Sequence, residues 1–140
     1  TQPLRVITMV KKKLGNLQKK NISILGLSFK PGTDDMRDAV SIVIIKKLIK
    51  LKAKIKVYDP IAINNAKMIF GNSIKYSKNP IDCIKNTDCC ILVTEWNEFK
   101  NLKPQDFVKQ MNRPLLIDGR RLYEKSIFQN NLEYNAIGLS

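Results

Sequence analysis

Four cations stand where they could hold an anion. Lys30 and Arg37 flank a loop, Leu27 to Asp35, that also carries Phe29, Pro31, Gly32, Asp34 and Asp35. Arg120 and Arg121 follow Asp118-Gly119. Arginine suits phosphate because its planar guanidinium donates two parallel hydrogen bonds. An adjacent aromatic such as Phe29 or Trp96 adds an apolar surface for a ring. Pro31 biases Lys30 towards an extended backbone and offers no N–H of its own, and Gly32 permits a sharp turn after it. Asp34 and Asp35 suit the start of a helix, and could orient Lys30 or Arg37. The chemistry on offer is binding of a charged ligand. The sequence has no histidine, and its three cysteines, Cys83, Cys89 and Cys90, lack metal-ligand spacing. That argues against a zinc site, a disulfide framework and Cys-His or Ser-His catalysis. No residue is assigned a catalytic role and no metal is expected.

These residues need elements to hold them at one edge. Ile22 to Gly26 reads as a short strand that breaks into the Leu27–Asp35 loop. Ala39 to Leu51 follows as a helix, with Ile42, Ile45 and Ile49 on one stripe and Ile44, Leu48 and Leu51 beside it. Strand, polar loop, helix is the arrangement that places ligand groups at the carboxyl edge of an open sheet. Lys54 to Tyr58 reads as a second strand, Ser73 to Tyr76 as a short edge strand, and Pro114 to Ile117 and Leu132 to Ile137 as further strands. Asp88 to Val93 is almost wholly apolar, as a central parallel strand is. Helices are read over Pro3–Gly15, Ile61–Phe70, Pro80–Lys85 and Pro104–Met111, with a short one within Leu122–Asn130. Strands alternating with helices imply right-handed crossovers. The expected fold is therefore α/β, a Rossmann-like doubly wound parallel sheet of about six strands in three layers. The loops after the first, fourth and fifth strands then share one edge, bringing Phe29, Lys30 and Arg37 together with Thr94, Glu95, Trp96, Arg120 and Arg121.

A dinucleotide site is not expected on this sheet. The fingerprint G-x-G-x-x-G is absent after the first strand, where Gly26 is followed by Leu27 and Ser28. Asp59 stands where a ribose-binding acid could sit, but Asp-Pro also starts ordinary turns.

The 140-residue chain is long enough to bury a core of its own. Its formal charge of +13 raises the question of a nucleic-acid or membrane partner. The lysines are scattered over helix faces with few aromatics among them, which favours solvated faces and argues against both partners. No apolar run has the length of a membrane span. The opening TQPLRVITMVKKKL has no signal-peptide layout, and a reducing cytoplasm is the expected setting.

The stretch FKPGTDDMR, Phe29 to Arg37, resembles the start of the C-terminal, UDP-binding domain of the UDP-glucose / UDP-N-acetylmannosamine / GDP-mannose dehydrogenases. VYDP at Val57–Pro60, TEWNEF at Thr94–Phe99 and IDGRRLY at Ile117–Tyr123 fit the same domain in order. The resemblance covers nearly the whole chain and divides it into the end of a connecting helix, 1–20, and the UDP-binding domain, 21–140. It implies that Phe29, Lys30 and Arg120 contact a UDP-sugar and that Arg37 reaches NAD held by another domain. The family oxidises the sugar C6 alcohol to a carboxylate in two NAD-dependent steps, with a nucleophilic cysteine that Cys83, Cys89 and Cys90 do not match. The resemblance thus implies an N-terminal partner domain carrying NAD and the catalysis, and a 140-residue chain inactive by itself. The family often has Glu where this chain has Asp38. UDP-glucose is the first expectation for the sugar nucleotide and UDP-N-acetylmannosamine the second. The isolated chain could be monomeric or could form a homodimer through exposed faces. Two other readings are a stand-alone, non-catalytic nucleotide-binding module and, on charge alone, a nucleic-acid-binding domain.

Overall fold

The computed structural model describes residues 2–139. Six strands form one parallel sheet: β1 (Asn21–Leu25), β2 (Lys54–Tyr58), β3 (Lys75–Tyr76), β4 (Cys89–Leu92), β5 (Leu115–Asp118) and β6 (Glu133–Ala136). Their order is β3-β2-β1-β4-β5-β6, and every neighbouring pair is parallel. This is the doubly wound order, with its switch point between β1 and β4.

Alternation along the central strands builds two cores. Ile22 and Ile24 of β1, Cys89 and Ile91 of β4, and Leu115 and Ile117 of β5 face one layer. That layer is α1 (Gln2–Leu14), α2 (Val40–Lys50) and α3 (Ile63–Phe70). Leu25, Cys90, Leu92 and Leu116 face the other, which holds α4 (Pro80–Ile84), α5 (Asn97–Lys100), α6 (Pro104–Gln110) and α7 (Lys125–Phe128). Strands buried on both faces need apolar residues in succession, which is why Cys-Cys-Ile-Leu carries no alternation of polarity. Phe99 and Phe107 are fully buried in the second core, each worth about 1.5–3 kcal/mol of transfer free energy.

The helix ends follow local chemistry. Asn79 Oδ1 accepts the Asp82 N–H at 2.7 Å and Pro80 opens α4. Pro104 opens α6, and Asp106 accepts the Lys103 N–H at 2.7 Å. Lys11, Lys12 and Lys13 close α1, where cations suit the carbonyl end. Val6, Ile7 and Val10 bury α1 in the first core. Arg113 then fastens its end: Nη1 donates to the Lys13 carbonyl at 3.0 Å, while Nε and Nη2 bind both oxygens of Glu133 at 2.6 and 2.8 Å.

The expected elements are present with ends moved by a residue or two, as frayed termini allow. The expected Ser73–Tyr76 strand shortens to Lys75–Tyr76, because Gly71–Ser73 form a 3₁₀ turn. The sequence reading assigned no element to the single turn α5, which is too short to show a period.

Candidate functional site at the carboxyl edge of the sheet

The loop after β1 is stitched down on every side. Asp59, at the end of β2, is 1% exposed, and its Oδ2 accepts the N–H groups of Leu27 and Ser28 at 2.8 and 3.0 Å. Ser41 Oγ donates to the Leu27 carbonyl at 2.6 Å, and Thr94 Oγ1 to the Ser28 carbonyl at 2.8 Å. The loop closes on itself through Phe29 N–H to the Asp35 carbonyl at 2.7 Å and Ser28 Oγ to the Lys30 carbonyl at 3.0 Å. The Phe29 and Lys30 side chains project from this fixed backbone into solvent; Phe29 is 53% exposed. An exposed phenyl on a rigid loop is available to a ligand or a partner without the cost of ordering the loop first.

Gly26 makes the close approach behind the loop possible. Its φ is +97°, and a Cβ there would lie 2.5 Å from the Thr94 backbone nitrogen. Only glycine tolerates both the conformation and the contact.

Arg120 sits across the edge, after β5. Asp118 is fully buried and sets the turn: Oδ1 accepts the Arg120 N–H at 3.0 Å, and Oδ2 accepts the Tyr123 N–H at 3.0 Å and the Tyr134 hydroxyl at 2.6 Å. Burial and this bond to a carboxylate push the Tyr134 hydroxyl up from its ordinary pKa, so Tyr134 stays a donor. The Arg120 side chain is 18% exposed. Nε donates to the Val93 carbonyl at 2.7 Å, Nη1 donates to the Leu139 carbonyl, and Glu95 Oε2 lies 3.6 Å from Nε. Among the described residues no hydrogen bond engages Nη2, so both of its N–H groups are free to donate. Arg120, Arg121 and Glu95 line a cavity of about 360 Å³, to which α1 contributes Gln2.

The grouping expected from sequence holds at the level of the sheet edge and fails at the level of one pocket. Arg37 faces a separate groove of about 670 Å³ between the loop and α3, with Asn65 and Met68. Its side chain is 89% exposed and paired with Asp35 at 2.9 Å. That bond lowers the Asp35 carboxyl and raises Arg37. Of the two acids, Asp35 orients Arg37, as one of the sequence alternatives had it; Asp34 offers only its carbonyl, to Asn65. Trp96 does not present a second open aromatic surface. It is half-buried, and its indole N–H donates inward to Asp59 Oδ2 at 3.1 Å.

Asp59 stands where a dinucleotide fold keeps its ribose acid, yet it is consumed by its own chain. Besides Leu27, Ser28 and Trp96 it accepts Ile61 and Ala62 N–H on Oδ1. Five donors saturate a carboxylate, which has about four lone-pair sites. With one glycine in place of three and Asp59 committed, these residues do not fit a dinucleotide pyrophosphate at this loop. Sequence reasoning missed the Asp59 clamp and the approach of Glu95 to Arg120, since neither leaves a spacing signal. Cys83, Cys89 and Cys90 are fully buried, and burial pushes all three thiols up, as suits inert core residues.

Residues 23–125 match the UDP-glucose/GDP-mannose dehydrogenase family, UDP binding domain. The chain belongs to this family. It is 38% identical over 127 residues to the UDP-glucose 6-dehydrogenase YwqF of Bacillus subtilis, covering 90% of this chain and 29% of that one. It is 34% identical over 138 residues to TuaD, a second UDP-glucose 6-dehydrogenase of that organism, covering 98% and 30%. Among solved structures, a UDP-glucose dehydrogenase from Pyrobaculum islandicum superposes with a TM-score of 0.81 at 25% identity, over 98% of this chain and 29% of that one. The UDP-N-acetyl-mannosamine dehydrogenase of Staphylococcus aureus shares the fold, with a TM-score of 0.72 at 20% identity, over 97% and 30%. The chain thus spans less than a third of the length of these relatives, and corresponds to the UDP-binding, C-terminal domain of the family. No helix among the described residues is long and apolar enough to cross a membrane.

Proposed function

We propose that this chain holds the nucleotide half of a UDP-sugar for an NAD-dependent UDP-glucose 6-dehydrogenase-type enzyme. The observation that carries the reading is the fixed β1 loop, which offers Phe29 and Lys30 on the same sheet edge as Arg120, within a domain of this family. Lys30 supplies a mobile point charge, and Arg120 supplies Nη2 from a guanidinium that two carbonyls already hold. Binding the diphosphate here would fix the remote end of the substrate, so that its sugar reaches a catalytic centre in another domain with little orientation left to lose. NAD binding and the nucleophile belong, in this reading, to that N-terminal partner. NAD supplies the hydride acceptor when bound there. Arg37, exposed at the neighbouring groove, reaches towards the cofactor from this side. UDP-glucose is the preferred sugar nucleotide, in keeping with the names of the two Bacillus subtilis relatives. The 140-residue chain by itself is expected to bind and not to turn over.

Calorimetric titration with UDP, UDP-glucose and NAD tests this. UDP and UDP-glucose should bind, NAD should not, and Lys30→Ala and Arg120→Ala should each weaken UDP by about tenfold, the loss of one charge-assisted contact. Retention of full UDP affinity in both variants would refute the assignment of these residues.

A further inference from the structure

The amino ends of the strands, opposite the edge described above, enclose a cavity of about 460 Å³. Its size lies within the range of about 300–1,000 Å³ usual for small-molecule sites. Lys54, Lys56, Lys75 and Lys85 line it, and none of its lining residues is acidic. The four lysines arrive from three places. Lys54 and Lys56 come from β2, Lys75 from the edge strand β3, and Lys85 from the turn after α4. Lys56 is only partly exposed, and its ammonium is held at 3.0 Å by the Lys85 carbonyl, so one charge is positioned rather than free to swing away. Asn72, Ser73 and Asn86 add neutral hydrogen-bonding groups at the rim, and the buried Ile22, Ile55 and Ile74 complete the lining. The acid tied to a lining residue is Asp88, which accepts the Asn21 N–H at 2.8 Å and Asn112 Nδ2 at 3.4 Å. It lines no part of the cavity.

Four lysines lining one cavity with no acid in its lining repel one another, and an anion spanning them relieves that repulsion. A single phosphate would meet one or two of them; a chain of phosphates meets more. We infer that this cavity is a second anion site, for a small polyphosphate group, separate from the UDP-sugar edge. The bearer is either a free polyphosphate or a nucleotide. Charged ligands here would bind at the far end of the strands that carry Asp59 and the β1 loop.

The test is titration of the ¹⁵N-labelled 140-residue chain with inorganic tripolyphosphate and, separately, with ATP. Amide shifts should centre on Lys54, Lys75, Lys85 and Asn86. The double variant Lys54→Glu/Lys85→Glu should weaken tripolyphosphate at least tenfold in calorimetry. Lys46→Glu/Lys50→Glu on α2, an equal change of net charge, should weaken it less than threefold, and Arg120→Ala should leave the shifts at Lys54, Lys75 and Lys85 unchanged. Tighter binding of ATP than of tripolyphosphate would assign the site to a nucleotide, and equal binding would assign it to the phosphate chain alone. Shifts spread over all lysine faces, equal losses in the two double variants, or loss of the Lys54, Lys75 and Lys85 shifts on Arg120→Ala would overturn the inference. The last result would place the anion at the UDP edge and leave that reading standing.

Discussion

Trp96 donates its indole N–H to Asp59 Oδ2 at 3.1 Å, joining the loop after β4 to the end of β2 through one buried carboxylate. The same oxygen anchors the backbone of the β1 loop. A residue outside the ligand's reach therefore fixes the residues proposed to touch it.

Asp59→Asn keeps the volume and removes an acceptor. Its amide would point N–H groups at N–H groups, either towards Leu27, Ser28 and Trp96 or towards Ile61 and Ala62. Unsatisfied buried donors predict a loss of about 2–4 kcal/mol in stability. Urea unfolding followed by fluorescence measures it. Trp96 is the single tryptophan of the chain, so its emission reports the broken contact directly. An unchanged midpoint would mean that water or backbone shifts satisfy the donors.

Gly26→Ala should be worse than an ordinary glycine substitution in a loop. The new methyl would have to displace the Thr94 backbone, and φ +97° is unfavourable for alanine. The expected cost is upwards of about 3 kcal/mol. Where the variant folds, UDP affinity falls as well, because Thr94 holds the Ser28 carbonyl. Gly32→Ala is the comparison. Its φ of +86° carries the same backbone penalty, but nothing lies within 4 Å of the added atom, so it should cost about 1 kcal/mol.

Glu95 competes with any anion at Arg120, being 3.6 Å from its Nε. Glu95→Gln removes the competitor and keeps the shape. UDP should then bind about threefold more tightly, the value of a half-exposed ion pair. Weaker binding would instead give Glu95 a contact to the ligand.

Arg113 holds the carboxyl of Glu133 below its usual pKa. A carboxylate whose folded pKa is depressed adds stability above its unfolded pKa, about 4.3, and that stability is lost as pH falls through the folded value. Arg113→Ala should therefore cost about 1 kcal/mol at pH 7, a pair value discounted for its exposure, plus the loosening of the α1 end. The difference between wild type and variant should narrow below about pH 4. Chemical denaturation at pH 7, 5 and 3.5 measures the narrowing; a constant difference would mean that the Lys13 contact, not the ion pair, is what matters.

Much of this protein is written in local pattern. The wide apolar stripe of α2 and the Cys89–Leu92 run fixed a helix and a central strand with no knowledge of their neighbours, because period and polarity are properties of the chain itself. The order of those elements was enough for a doubly wound sheet, since crossover handedness leaves few alternatives. Four spaced motifs, from Phe29 to Tyr123, identified the family. What tertiary structure decided is which polar groups are already spent. In the sequence Asp59, Trp96, Glu95 and Arg120 are all equally free to meet a ligand. Only packing shows that Asp59 holds five N–H groups, that Trp96 turns inward, and that Arg120 keeps one free end. The same is true of the lysine-lined cavity, whose members, from Lys54 to Lys85, share no periodicity and meet only because parallel strands bring their amino ends to one edge. Hydrogen-bond commitment and charge convergence depend on distances across the sheet, and such distances leave no trace in the order of residues.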